Sequence, residues 1–94
     1  MVSIEWTRPA RDDLARLDEQ LSDLDPDLAD RVGRAVIASG AFLTEHPRAG
    51  PDFGRHFLRK WRVRGTRYIL IYRIRGDTVQ ILRLVHDRSD WLNL

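Results

Sequence analysis

Residues 57–86 read FLRKWRVRGTRYILIYRIRGDTVQILRLVH, and this stretch decides the fold. Gly65-Thr66 and Gly76-Asp77 each separate runs rich in Val, Ile, Tyr and Arg, and Gly followed by another residue suits a two-residue type II′ hairpin turn. The spacing therefore predicts a three-stranded antiparallel meander. With Arg64 opposite Arg67 and Arg75 opposite Thr78, directly opposed residues share a face, so both faces can be written out. The first face takes Phe57, Arg59, Trp61 and Val63, then Tyr68, Leu70, Tyr72 and Ile74, then Val79, Ile81, Arg83 and Val85. It is almost wholly apolar. The second takes Leu58, Lys60, Arg62 and Arg64, then Arg67, Ile69, Ile71, Arg73 and Arg75, then Thr78, Gln80, Leu82, Leu84 and His86. Here Ile69, Ile71, Leu82 and Leu84 form an aliphatic patch ringed by cations, which asks for a covering partner.

Working outward, VSIEW (residues 2–6) is a short strand candidate that joins the same sheet. Thr7 caps a helix with Pro9 in its first turn, and Ala10, Leu14, Leu17 and Leu21 form one helical stripe facing a core. Asp25-Pro26 ends that helix and starts a second one carrying Leu28, Val32, Val36 and Leu43, stopped near His46 by Pro47. Gly33 and Gly40 inside the second helix point to a close approach of the first helix or the sheet. A loop, PRAGPDFGRH (residues 47–56), leads into the meander; beyond it Trp91 and Leu92 are expected to pack as a final turn. The expected fold is α+β, in the order β-α-α-β-β-β, with the helical hairpin packed on one face of a small antiparallel sheet and residues 1–94 as a single domain. Arg59 and Arg83, cations on an apolar face, are expected at the sheet's edge or paired with Asp13 or Asp18.

Across 94 residues, 43% hydrophobic and 32% charged content indicates a soluble globular domain, with no apolar run near the roughly 20 residues of a membrane span. The N-terminal MVSIEWTRPAR lacks the apolar stretch of a secretory signal, so the expected compartment is the cytosol. With no Cys, disulfides and thiolate chemistry are excluded; His46 and His56 lack metal-ligand spacing, and neither metal nor cofactor is expected. The net charge of +2 conceals a split, residues 1–46 summing to −5 and residues 47–94 to +7. Fifteen of the sixteen cations are Arg, suited to bidentate contact with carboxylate or phosphate, although a GC-rich genome gives the same bias.

The element order, the Trp6-Thr7-x-x-Ala10-x-x-Asp13-Leu14 opening, the His46-Pro47-x-x-Gly50 loop, and the Tyr68-Ile69-Leu70-Ile71-Tyr72-Arg73 and Ile81-Leu82-Arg83-Leu84-Val85-His86 strands together resemble the RelE/ParE superfamily of bacterial toxins. That resemblance implies a type II toxin held inactive, in a toxin–antitoxin hetero-oligomer, by a cognate antitoxin. The antitoxin would then bury Ile69, Ile71, Leu82 and Leu84, with its carboxylates on Arg62 and Arg73. Two activities are known on this fold: inhibition of DNA gyrase in the ParE branch and ribosome-dependent mRNA cleavage in the RelE branch. For cleavage, His86 would serve as base or acid, with Lys60, Arg62 and Arg88 as charge stabilisers. The nuclease branch places an Arg on the middle strand where this chain has Ile69, and this chain has no Tyr after Tyr72. The tail His86-x-Arg88-x-Asp90 is more similar to the ParE branch. The resemblance thus favours a non-catalytic gyrase inhibitor, with Arg88 and Trp91 contacting the target. A plain nucleic-acid-binding module ranks below both, because the aromatics fall on the core face and not among the cations.

Overall fold

In the computed structural model, which describes residues 2–53 and 57–89, the order is β1 (Ser3–Trp6), α1 (Arg8–Leu24), α2 (Pro26–Glu45), β2 (Arg59–Arg62), β3 (Tyr68–Arg75) and β4 (Thr78–His86). Both helix starts follow from local chemistry. The Thr7 hydroxyl accepts the Ala10 N–H, and Pro9 sits where a missing donor costs nothing. Asp25 acts twice: its backbone N–H closes α1 on Leu21, and its carboxylate accepts the N–H groups of Asp27 and Leu28 to open α2. The buried stripe of α1 (Ala10, Leu17, Leu21) meets that of α2 (Ala29, Val32, Val36, Leu43) over the sheet.

The sheet runs β1-β4-β3-β2. β2, β3 and β4 form the antiparallel meander, while β1 adds to β4 in parallel and makes the whole sheet mixed. On the helix side Leu70, Tyr72, Val79 and Ile81 are fully buried, so the helical hairpin covers the first face as its apolar pattern requires. Gly40 permits this contact. A Cβ there would lie 2.7 Å from the Trp6 ring and 2.9 Å from Ile4 Cδ1. Gly33 is different, since nothing stands within 4 Å of its Cβ position, and the expected close approach is absent there.

The β2–β3 register is the expected one, with Arg62 opposite Ile69. The connection is longer than a two-residue turn. Val63 N–H donates to Tyr68 O, and a turn closed by Thr66 N–H on Val63 O carries Gly65 at φ +76°. β2 is also shorter than its apolar pattern suggested. Phe57, expected on the first face, lies outside the strand at φ +59° and is 91% exposed.

Between β3 and β4 the register holds from Arg75–Thr78 to Tyr72–Ile81 and then slips, pairing Ile71 with Arg83. Leu82 is the extra residue of a β-bulge, and a slip by one exchanges the faces of every later residue in the strand. Leu84 therefore joins the helix-side core, Val85 joins Ile69 and Ile71 on the second face, and His86 pairs with Tyr68 on the helix side. The expected placements of Leu84, Val85 and His86 are corrected accordingly. Half-buried Leu82 belongs to neither buried cluster.

The bulge sits where β4 loses its neighbour. β1 ends at Trp6, opposite Ile81, and the start of α1 then takes over the vacated edge. The Thr7 hydroxyl donates to the Ile81 and Leu82 carbonyls, and the Asp13 carboxylate accepts the Leu84 N–H at 3.0 Å. Edge groups that would otherwise be buried without partners are satisfied by two polar side chains.

Candidate functional site

The second face of the sheet has an apolar centre of Ile69, Ile71 and Val85, with Phe53 and Leu58 packed against it. Ile71 is only 1% exposed and Ile69 6%. The chain covers this centre itself. Residues 51–53 lie along the outer edge of β2, with Phe53 N–H donating to Leu58 O at 2.9 Å and Lys60 N–H to Pro51 O at 3.2 Å. The open four-residue patch read from the sequence is thus replaced: Leu84 has moved to the helix side, and Ile69 and Ile71 lie under Phe53 and Leu58.

Tyr72 positions the covering segment. Its buried hydroxyl donates to Pro47 O at 2.7 Å and accepts the Gly50 N–H at 2.9 Å. A Cβ on Gly50 would strike the Lys60 carbonyl and the Tyr72 ring, so only glycine fits. Arg59 sits on the edge strand β2, one of the two placements expected of it, and its Nη1 donates to Gly50 O at 2.7 Å. Burial pushes the Tyr72 pKa up, against the lowering effects of the Gly50 N–H and Arg59. The His46-Pro47-x-x-Gly50 motif and the last tyrosine of β3 are therefore two halves of one contact.

Around the centre, the cations are partly engaged. Arg62 and Arg67 reach Asp87 Oδ2 at 3.2 and 3.5 Å. Desolvation pushes the Asp87 pKa up, but the Arg62 hydrogen bond and the charges of Arg67, His86 and Arg62 outweigh it and leave the carboxyl below its ordinary value. Arg73 Nε donates to Gln80 Oε1 at 2.6 Å, and Gln80 Nε2 donates to Glu5 at 3.1 Å, a polar chain crossing three strands. The Lys60 ammonium lies 5.9 Å from the Phe53 ring centroid. Neither Phe53 nor Asp87 was singled out by sequence reasoning. Both depend on which segment folds over the sheet, for which a single strand's periodicity carries no signal.

Of the four residues considered for RNA cleavage, Arg62 and His86 meet on one carboxylate, Arg62 Nη1 at 3.2 Å from Asp87 Oδ2 and His86 Nδ1 at 3.2 Å from Asp87 Oδ1, although their backbone positions differ. Lys60 and Arg62 pair with Ile71 and Ile69 and share their face, whereas His86 pairs with Tyr68 and lines a cleft against α1. Arg88 is exposed just beyond β4, its N–H donating to His86 Nδ1 at 3.1 Å. Arg83, by contrast, takes one of its expected partners. Its Nε and Nη2 bind the Asp13 carboxylate at 2.7 and 3.1 Å, and this hydrogen bonding raises the Arg83 pKa. His56, Trp91 and Leu92 lie outside the described residues. Among the described residues, no helix is long and apolar enough to cross a membrane.

With this geometry in place, the family model described as "ParE toxin of type II toxin-antitoxin system, parDE" matches residues 4–91. The chain belongs to the ParE toxin family. The match takes in the helical hairpin, the bulged β4 and the loop held by Tyr72. Among solved structures, the toxin is similar in fold to a chain of the chromosomal ParDE toxin–antitoxin system from P. aeruginosa, with TM-score 0.81, 24% identity, and coverage of 92% of this chain and 96% of that one. It is also similar to a chain of the RelBE2 toxin–antitoxin complex from Mycobacterium tuberculosis, with TM-score 0.68, 33% identity, and coverage of 90% and 96%. Geometry is thus nearer the first and sequence nearer the second. No curated protein sequence matches the toxin.

Proposed function

We propose that this toxin inhibits DNA gyrase by direct binding and is neutralised by a cognate antitoxin. The observation that carries the reading is the aliphatic, self-covered centre of the cationic face, with Arg62, Arg67 and His86 already engaged on one carboxylate, Asp87. Cleavage by 2′-hydroxyl attack requires a proton acceptor and phosphate-stabilising cations around one phosphate. Here the central positions of the cationic face are the buried Ile69 and Ile71, and its carboxylates Glu5 and Asp87 are bound to Gln80, Arg62 and Arg67. A surface of this kind suits protein contact. Arg73 uses only Nε on Gln80, leaving its terminal nitrogens for an antitoxin carboxylate, and Arg62 lies exposed at the end of β2. In this reading Arg88 and Trp91 reach the gyrase target.

The competing reading, a ribosome-dependent mRNA endoribonuclease, draws on the 33% identity to a chain of the RelBE2 complex. Assays of gyrase supercoiling and of mRNA integrity on translating ribosomes, run side by side on the purified toxin, separate the two. Inhibition of supercoiling without ribosome-dependent cuts is expected. Cuts abolished by His86→Ala would overturn the gyrase assignment.

A further inference from the structure

A second cleft, of about 250 Å³, opens on the helix side between α1 and the far ends of β3 and β4. Its floor is apolar, made by Leu17 and Leu84, and its walls are Arg16, Gln20, Tyr68 and His86. His86 also meets the cationic face through Asp87, its Nδ1 lying 3.2 Å from Oδ1. Asp13, at one end of the cleft, is saturated by Arg83 at 2.7 and 3.1 Å and by the Leu84 N–H at 3.0 Å, so Arg16 approaches it only to 3.5 Å. One carboxylate thus faces two guanidinium groups, and the Arg16 charge is left over. His86 Nδ1 lies 3.1 Å from the Arg88 backbone nitrogen and 3.2 Å from Asp87 Oδ1, which leaves Nε2 for the cleft. The Tyr68 ring meets His86 edge to face, at 5.4 Å between centroids. Neither the Tyr68 hydroxyl nor the Gln20 amide has a hydrogen-bond partner among the described residues.

We infer that this cleft binds a phosphate group of a nucleotide or nucleic-acid strand, with Arg16, Tyr68 and His86 as donors. The group is the right chemistry for an excess guanidinium charge flanked by O–H and N–H donors. The site is separate from the gyrase assignment, and the failure of either leaves the other standing.

The test is an NMR titration of the ¹⁵N-labelled toxin at constant ionic strength, with inorganic phosphate, a nucleoside monophosphate and a short single-stranded oligonucleotide in turn. Saturable shifts confined to the signals of Arg16, Gln20, Tyr68 and His86 are expected, with affinity falling at least tenfold in Arg16→Gln and unchanged in Arg34→Gln on α2. Tighter binding of the oligonucleotide identifies a strand phosphate as the source, and equal binding of the mononucleotide identifies a free one. Absence of saturable shifts with all three probes, or equal affinity in Arg16→Gln, overturns the site.

Discussion

Asp13 satisfies three donors with two oxygens: Arg83 Nε, Arg83 Nη2 and the Leu84 N–H. It is 7% exposed, so its removal leaves a buried backbone donor and a guanidinium without partners. Asp13→Ala should lower stability by about 2–3 kcal/mol in urea denaturation, while the exposed neighbour Asp12→Ala stays within about 0.5 kcal/mol. The Arg83 partner was legible, because a cation on an apolar face requires a nearby carboxylate. The Leu84 bond was not, because it exists only where β1 ends and a side chain replaces a strand. Tyr72 offers a second case. Tyr72→Phe removes one donor and one acceptor from a buried contact and should cost about 1–2 kcal/mol. The raised pKa of Tyr72 adds a dependence on pH. The unfolded phenol ionises near pH 10 and the folded one higher, so this stabilisation is complete below about pH 10 and lost as pH rises through the folded value. Urea midpoints measured between neutral and strongly alkaline pH should fall more steeply for the wild type than for Tyr72→Phe.

At the scale of elements, both helices, their caps and the pairing of β2 with β3 were readable, since helix periodicity and turn glycines act locally. β4 was readable only as far as Ile81. Its bulge has no sequence signature of its own, arising from the length of β1 and the position of Asp13 on α1. One uncounted residue moved Leu84 out of the candidate patch and into the helix-side core, and put Val85 in its place beside Ile69 and Ile71. The two helix glycines likewise looked equivalent in sequence and differ in space. Gly33→Ala meets nothing within 4 Å and should stabilise by about 0.5–1 kcal/mol through helix propensity. Gly40→Ala drives a methyl into Trp6 and Ile4 and should destabilise by about 1–3 kcal/mol. Thermal melts of the two variants should therefore shift in opposite directions.

Over the whole molecule, charge is divided between a half of the sequence at −5, mostly helical, and a half at +7, which holds the meander. Such polarity orients an acidic partner before contact, so association with the antitoxin should slow about tenfold or more between roughly 0.05 and 0.5 M salt, with dissociation changing far less. Stopped-flow mixing at several salt concentrations measures this, and Arg73→Glu should flatten the dependence. The charge split was visible in the sequence. Its meaning was only half visible, because the patch it surrounds is covered by residues from the loop. The parallel pairing of β1 with β4 reaches further still. Ser3 lies against Thr78, so the first strand of the sheet waits for the last, and the Asp13 contact waits with it. At about 5–20 residues per second of translation, the interval between these strands leaving the ribosome is on the order of 4–15 s. For that time Ile4 and Trp6 have no sheet to join. A toxin built this way gains its working surface only once its last strand has emerged, and an antitoxin already present can meet it as it forms.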